Sequence, residues 1–327
     1  MNTPRRLGST GPTVFPLGLG CMGMSGMYGP AGENASIATI HAALESGITL
    51  FDTGDFYGMG HNEMLLGRAR GSRRGQALIS VKFGAMRGPD GGWLGFDARP
   101  AAVKNFLAYS LQRLGVDYID IYRPARHDPA VPIEDTIGAM AELVAAGYVR
   151  AIGLSEVGVE SIRRAHAVHP IADLQIEYSL VSRSPEARIF PVLGELGIGV
   201  TAYGVLSRGL LSGSLPSGPG DLRRHFPRFT ADNLARNRPL VETLRALAAE
   251  KGVSATQLAI AWVLGKGESI VPVVGARTVA QLAESLAALP ISLSPAELMR
   301  MEQAIPASAV AGERYAPPQM RMLDSER

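Results

Sequence analysis

Short apolar runs alternate along this chain with longer stretches whose apolar positions recur every three to four residues. The runs at 17–20, 49–52, 77–82, 118–122, 149–155, 173–176, 199–203 and 270–274 predict eight strands. Most are apolar almost throughout, the pattern of parallel strands covered on both faces. Between them the periodicity predicts helices at 35–46, 62–68, 101–114, 133–146, 158–168, 187–196, 239–251 and 278–288. In the fifth of these, Ile162, Ala165 and Val168 line one face while Glu160, Arg163 and Arg164 fill the other. Gly197 and Gly252 follow helices where a left-handed residue ends the last turn, and Thr278 is an N-cap candidate.

Eight β–α pairs predict a closed (β/α)8 TIM barrel, a single α/β domain over residues 1–327. A doubly wound open sheet usually carries Gly-x-Gly-x-x-Gly after its first strand. Here Gly20-Cys21-Met22-Gly23-Met24-Ser25 stands there, with different spacing. No composition break marks a linker.

Composition narrows the function classes. Hydrophobic residues make up 46% and charged residues 19% of the 327, which excludes general disorder. A net charge of +2 argues against nucleic-acid and anionic-membrane binding, since each needs clustered positive charge. Cys21 is the only cysteine, so an intramolecular disulfide and a cysteine-rich metal centre are both excluded. No metal site is expected. No secretory h-region follows the N-terminus and no apolar run approaches ~20 residues, so the expected location is the cytoplasm.

A barrel gathers its functional groups at the C-terminal strand ends and in the loops after them. Asp52, Tyr57, Lys82, Arg123, Ser155, Glu156, Gln175 and Tyr203 occupy such positions. The long connections at 84–99 and 204–237 are natural covers for substrate and cofactor. Asp52, Tyr57 and Lys82 come from adjacent strand ends and can converge. A lysine ammonium beside the phenol would lower the Tyr57 pKa and fit it for proton transfer near neutral pH. A buried ion pair beside a core tyrosine is the alternative.

The stretch Phe51-Asp52-Thr53-Gly54-Asp55-Phe56-Tyr57-Gly58, followed by Asn62-Glu63, resembles the Asp-Thr-x-x-x-Tyr-Gly…Asn-Glu pattern of the aldo-keto reductases. Leu7-Gly8, the 18–25 segment, Ser80-Val81-Lys82-Phe83-Gly84, Gly153-Leu154-Ser155 and Gln175-Ile176-Glu177-Tyr178-Ser179 extend the resemblance. So do Ala202-Tyr203, Arg208-Gly209-Leu210-Leu211-Ser212-Gly213 and Gly275-Ala276-Arg277. Their order and spacing span nearly the whole chain.

The resemblance implies a barrel that binds extended NADPH and reduces a small aldehyde or ketone, with Tyr57 as general acid tuned by Lys82 and Asp52. It places Ser155, Glu156 and Gln175 on the nicotinamide carboxamide and Tyr203 against the ring. Arg208, Gly209 and Gly213 would form the pyrophosphate loop, with Met22, Leu206, Leu211 and Gly275 along the cofactor. Arg277, Gln281, Glu284 and Ser285 fall at the adenosine 2′-phosphate and adenine. Gln281, where the family often has Arg, weakens the preference for NADPH over NADH; Arg277 keeps it, because a guanidinium pairs bidentately with phosphate.

The pattern breaks at the fourth strand. Tyr118-Ile119-Asp120-Ile121-Tyr122-Arg123-Pro124-Ala125-Arg126-His127-Asp128-Pro129 puts Ala125 where the family has the histidine of its catalytic tetrad. Water can fill that space; Arg123, of the same strand parity, can point into the pocket and bind substrate; or His127 can substitute from downstream. Trp93, in the 84–99 loop, is a further substrate-cover candidate. Loss of the histidine also motivates a second reading, a barely catalytic nicotinamide-sensing protein, against which stands retention of Asp52, Tyr57 and Lys82.

Overall fold

The apolar runs form the staves of a closed barrel in the computed structural model, which describes residues 3–218 and 220–326. The strands are β1 (Gly18–Gly20), β2 (Leu50–Gly54), β3 (Leu78–Phe83), β4 (Ile119–Pro124), β5 (Val149–Ser155), β6 (Ile171–Glu177), β7 (Gly199–Tyr203) and β8 (Ile270–Gly275). All neighbours run parallel, and Val273 opposite Gly18 closes β8 onto β1. The helices α1 (Glu33–Glu45), α2 (His61–Arg70), α3 (Pro100–Leu114), α4 (Ile133–Ala145), α5 (Val159–Val168), α6 (Pro185–Leu196), α7 (Ala231–Glu250), α8 (Ala255–Gly265), α9 (Val279–Leu286) and α10 (Pro295–Ala304) surround it. Their apolar faces and the outward residues of the strands share one core, from Leu19 and Phe51 to Trp262. The single (β/α)8 barrel expected from the sequence is the observed fold.

Several details differ from the sequence reading, among them helix α10, which lies beyond the last predicted helix. Helix α7 begins at Ala231, where Thr230 caps the Asn233 N–H, and it carries Pro239 in its interior. The periodicity predicts only its second half, from Pro239, a residue that a helix tolerates best in its first turn. Helix α8 went unpredicted because Leu258, Ala259, Ile260, Ala261, Trp262 and Val263 are all buried, which erases a polar face. The expected loop at 84–99 folds into a hairpin pairing Ala85–Arg87 with Trp93–Phe96.

Another hairpin, Arg5–Arg6 with Thr13–Val14, seals the N-terminal mouth. Its Leu7 and Val14 pack on Leu50, Ile121, Val271 and Val273 inside the barrel. Gly8 needs to be glycine: its φ is +64°, and a Cβ would lie 2.4 Å from the Gly197 carbonyl oxygen. Above this apolar plug the interior turns polar. Arg123 Nη1 donates to Asp173 Oδ2 (3.0 Å), Thr201 Oγ1 and the Leu154 carbonyl, and Nη2 donates to Ser80 Oγ. Gly153 leaves room for this group, since a Cβ there would stand 2.7 Å from Asp173 Oδ1 and 3.1 Å from Arg123 Cζ. With one end plugged, ligands can reach the interior only from the C-terminal strand ends.

Candidate active site

Strands β2 and β3 carry the first three groups. Residues 80 and 82 share a strand face, and Asp52 pairs with Ser80 in the β2–β3 register. Lys82 Nζ donates to Asp52 Oδ1, and also to Gln175 Oε1 at 2.9 Å. Gln175 Nε2 and Ser80 Oγ donate to Asp52 Oδ2 at 2.7 and 3.0 Å, completing a buried polar ring. Tyr57 lies in the turn after β2, its N–H donating to the Gly54 carbonyl. Its ring is 5.3 Å from Lys82 Nζ and packs edge-on against Phe56. Asn62 holds that loop from α2: it accepts from Thr53 Oγ1 and donates to the Cys21 carbonyl and Ser25 Oγ. Asp52, Tyr57 and Lys82 therefore converge.

Their electrostatics correct one expectation. Burial, reinforced by the Asp52 carboxylate, pushes the Tyr57 phenol well above its usual pKa instead of lowering it. Burial also draws Lys82 down against the opposing pull of Asp52. Tyr57 is thus a neutral phenol that keeps its proton across ordinary pH.

Arg123, weighed as a substrate ligand, is fully buried and committed to Asp173, so its parity was read correctly but its charge serves the barrel interior. His127 lies past the end of β4, half-buried in the connection to α4. The sequence reading missed Arg126. Its Nη1 donates to the Ala125 carbonyl (2.6 Å) and Ser155 Oγ (3.4 Å), and its Nη2 to Tyr315 Oη (3.3 Å). Trp93 is 42% exposed, edge-on to Phe96 and within 6.5 Å of Phe56, with Arg87 over its ring.

Glu156 departs most from expectation. It sits in the left-handed region at φ +54°, fully buried. Arg314 binds both its oxygens, Tyr203 Oη donates to Oε1 (2.6 Å), Ser325 Oγ to Oε2 (2.7 Å), and the Glu177 N–H to Oε1. Burial would raise this carboxyl, but Arg314 and then Arg126 hold it below the usual carboxylate range. No oxygen is spare for a carboxamide: Glu156 anchors the C-terminal segment. That segment brings Tyr315 Oη to 3.0 Å from Tyr203 Oη. Tyr203 remains partly exposed beside the buried Ser155.

The Arg208 side chain is likewise committed, paired with buried Glu177 at 2.9 Å and lying against the rings of Phe226 and Tyr315. The loop around it is tightly turned, with the N–H groups of Ser207, Gly209, Leu210, Leu211 and Gly213 donating to carbonyls of the loop itself. Ser207 and Arg208 have positive φ, as do Gly209 and Gly213, where a Cβ would stand 2.9 Å from Ser214 Cβ and 2.4 Å from Arg245 Nη2. Leu206 is half-buried and Leu211 buried against the core.

At the β8 end, Gly275 is exposed, and among the described residues the Arg277 guanidinium donates to the Tyr28 carbonyl, while its N–H goes to Gln281 Oε1. The first N–H groups of a helix have no intrahelical partners, and Thr278 takes only that of Gln281 at the start of α9. A guanidinium with no carboxylate partner among the described residues, beside an exposed helix N-terminus, suits an anion. Met22 opens a short turn whose Gly23 packs near Arg277. Glu284 instead faces α8, accepting from Ser254 Oγ and Gln257 Nε2, and Ser285 Oγ donates to the Gln281 carbonyl.

From Tyr203 and Ser155 to Arg277 the mouth offers an aromatic face, a hydroxyl and a guanidinium that suit an extended anionic dinucleotide; Glu156, the Arg208 side chain and Glu284 do not contribute. Among the described residues no His, Cys, Asp and Glu cluster could hold a metal, and no helix is long and apolar enough to cross a membrane.

Comparison with known proteins agrees with this architecture. The chain is 42% identical over 321 residues to probable aldo-keto reductase 1 of Glycine max, covering 95% of this chain and 91% of the relative. A glycerol dehydrogenase from Gluconobacter oxydans superposes with a TM-score of 0.85 at 28% identity, over 96% of this chain and 98% of that one. An aldo-keto reductase from Klebsiella pneumoniae, solved with NADPH, gives 0.73 at 25% identity, over 92% and 95%. The sequence model of the Aldo/keto reductase family matches residues 16–306. The chain belongs to the aldo/keto reductase family.

Proposed function

We propose that this protein is an NADPH-dependent oxidoreductase that reduces the carbonyl of a small aldehyde or ketone to an alcohol, with Tyr57 giving the proton. The observation that carries the reading is the convergence of Tyr57 with the Lys82–Asp52 pair at the barrel mouth, beside the partly exposed ring of Tyr203. Membership of a family of oxidoreductases and a structural relative solved with NADPH support it.

The chain's residues divide the work. A reduced nicotinamide bound at the mouth would supply the hydride. Tyr203 offers a flat face that fixes the ring's orientation, and Ser155 and Gln175 offer polar atoms for the carboxamide. Arg277 and the first turn of α9 would hold the 2′-phosphate, favouring NADPH over NADH. Tyr57, kept protonated by burial, donates its proton to the carbonyl oxygen as negative charge develops there. Lys82, held by Asp52 and Gln175 with its Nζ 5.3 Å from that phenol ring, would as an ammonium favour the phenolate left behind. The hairpin at 85–96 closes one side, with Trp93 at its edge.

The test is NADPH consumption, followed by its absorbance, with a panel of aromatic aldehydes. Turnover that disappears in Tyr57→Phe supports the reading; tight NADPH binding without turnover overturns it in favour of a nicotinamide sensor.

A further inference from the structure

The mouth of the barrel holds several cations, and nearly all have a carboxylate of their own. Lys82 is paired with Asp52, Arg208 and Arg228 with Glu177, Arg314 with Glu156 and Arg223 with Asp221. Arg126 has none: among the described residues its guanidinium meets the Ala125 carbonyl, Ser155 Oγ and Tyr315 Oη, all uncharged. Its nearest acid, Glu156, has both oxygens taken by Arg314, Tyr203 and Ser325. Arg126 is half-buried, so it is recessed without being sealed.

Glu156 favours the Arg126 charge from a distance, but among the described residues no carboxylate oxygen is in ion-pair contact with it, so its fork of donors is open to a bound anion. Arg126 follows buried Ala125, which lies just past the end of β4 at the position where the family resemblance expects an imidazole. From there its positive charge acts on Tyr57 and Lys82. Tyr315 Oη, the partner of Nη2, is a neutral hydroxyl on the C-terminal segment that a carboxylate oxygen can outcompete, because charge-assisted hydrogen bonds are about twice as strong.

Resting on the reductase reading above, we propose that Arg126 is a substrate-binding residue that selects carbonyl compounds bearing a carboxylate within a few bonds of the C=O. The guanidinium takes the carboxylate as a fork of two hydrogen bonds and so orients the carbonyl toward Tyr57. Orientation by the substrate's own charge then does what the missing imidazole would have done by hydrogen bonding.

The test compares phenylglyoxylate and 4-oxobutanoate with their methyl esters, which keep the carbonyl and lose the charge. The intact protein is assayed with NADPH, in the wild type and in Arg126→Met, Arg126→Gln and Arg126→Lys. The expected result is an acid-to-ester ratio of kcat/KM of about tenfold or more for at least one pair. That ratio falls to about one in Arg126→Met and Arg126→Gln, mainly through KM for the acid, and recovers in part in Arg126→Lys. The proposal is overturned if neither acid is preferred, if the preference survives Arg126→Met, or if the variants weaken NADPH binding and leave the ratio unchanged. Failure to turn over acid, ester or any aldehyde overturns the reductase reading itself, and this proposal with it.

Discussion

Arg314 lies 158 residues beyond Glu156, yet its two terminal nitrogens stand 2.7 and 2.6 Å from the two oxygens of that carboxylate. Glu156 directly follows Ser155 at the end of β5, so the pair ties the C-terminal segment to the barrel mouth. Ser325 and Asp324 add to the attachment: the Ser325 N–H donates to the Glu156 carbonyl, and Asp324 Oδ2 accepts from the Gly158 N–H.

Removing one member of this pair strands the other. Arg314→Met leaves a fully buried carboxylate without its guanidinium, a loss of about 3–5 kcal/mol for a broken buried pair. Urea unfolding reads the loss directly. The double variant Glu156→Gln/Arg314→Met is expected to be more stable than Arg314→Met alone, because no charge remains stranded. An Arg314→Met protein as stable as the wild type would contradict the assignment.

Asp55 gives a pH signature. Burial pushes its carboxyl up to about 7, opposed by the Gly84 N–H that donates to Oδ2 at 3.1 Å, while Oδ1 is buried without a partner. The folded protein holds a proton that the unfolded chain has released above about pH 4. Stability from this group therefore falls as pH rises from about 4 to about 7 and levels off beyond it. Asp55→Asn keeps an acceptor for Gly84 and removes the titration. Its Tm is expected to drop less than the wild type's between pH 5 and pH 8; parallel drops would contradict the reading.

Arg277 tests cofactor choice. Losing a charge-assisted contact of about 1.5–3 kcal/mol weakens binding roughly 10- to 100-fold. Arg277→Met is expected to weaken NADPH binding to that extent in a fluorescence titration and to change NADH binding little. Equal losses for both cofactors, or none for NADPH, would contradict a 2′-phosphate site there.

Much of this was legible in the sequence. The apolar runs and their register located the strands, and parallel β2 and β3 had to bring Asp52 beside Lys82. Strand parity turned Arg123 inward correctly, but only the fold shows that Asp173, on β6, takes its charge. The sign of the Tyr57 shift was misread because desolvation, a property of the packed site, outweighs the neighbouring ammonium. Arg314 and Tyr315 carried no local signal, since they follow the last long helix in a stretch without periodicity and act through partners more than a hundred residues away. Arg126 carried no signal of its own, since it lies past the end of β4, where strand parity no longer says which way a side chain points.

The most direct test of Tyr57 as proton donor is single-turnover oxidation of bound NADPH by an aldehyde, in the wild type and in Tyr57→Phe, across pH 6–9. The wild-type rate is expected to stay level over this range, because the phenol keeps its proton. Tyr57→Phe is expected to bind NADPH while its rate falls by roughly 10²–10⁴. A Tyr57→Phe protein that oxidises NADPH within tenfold of the wild type would contradict the account.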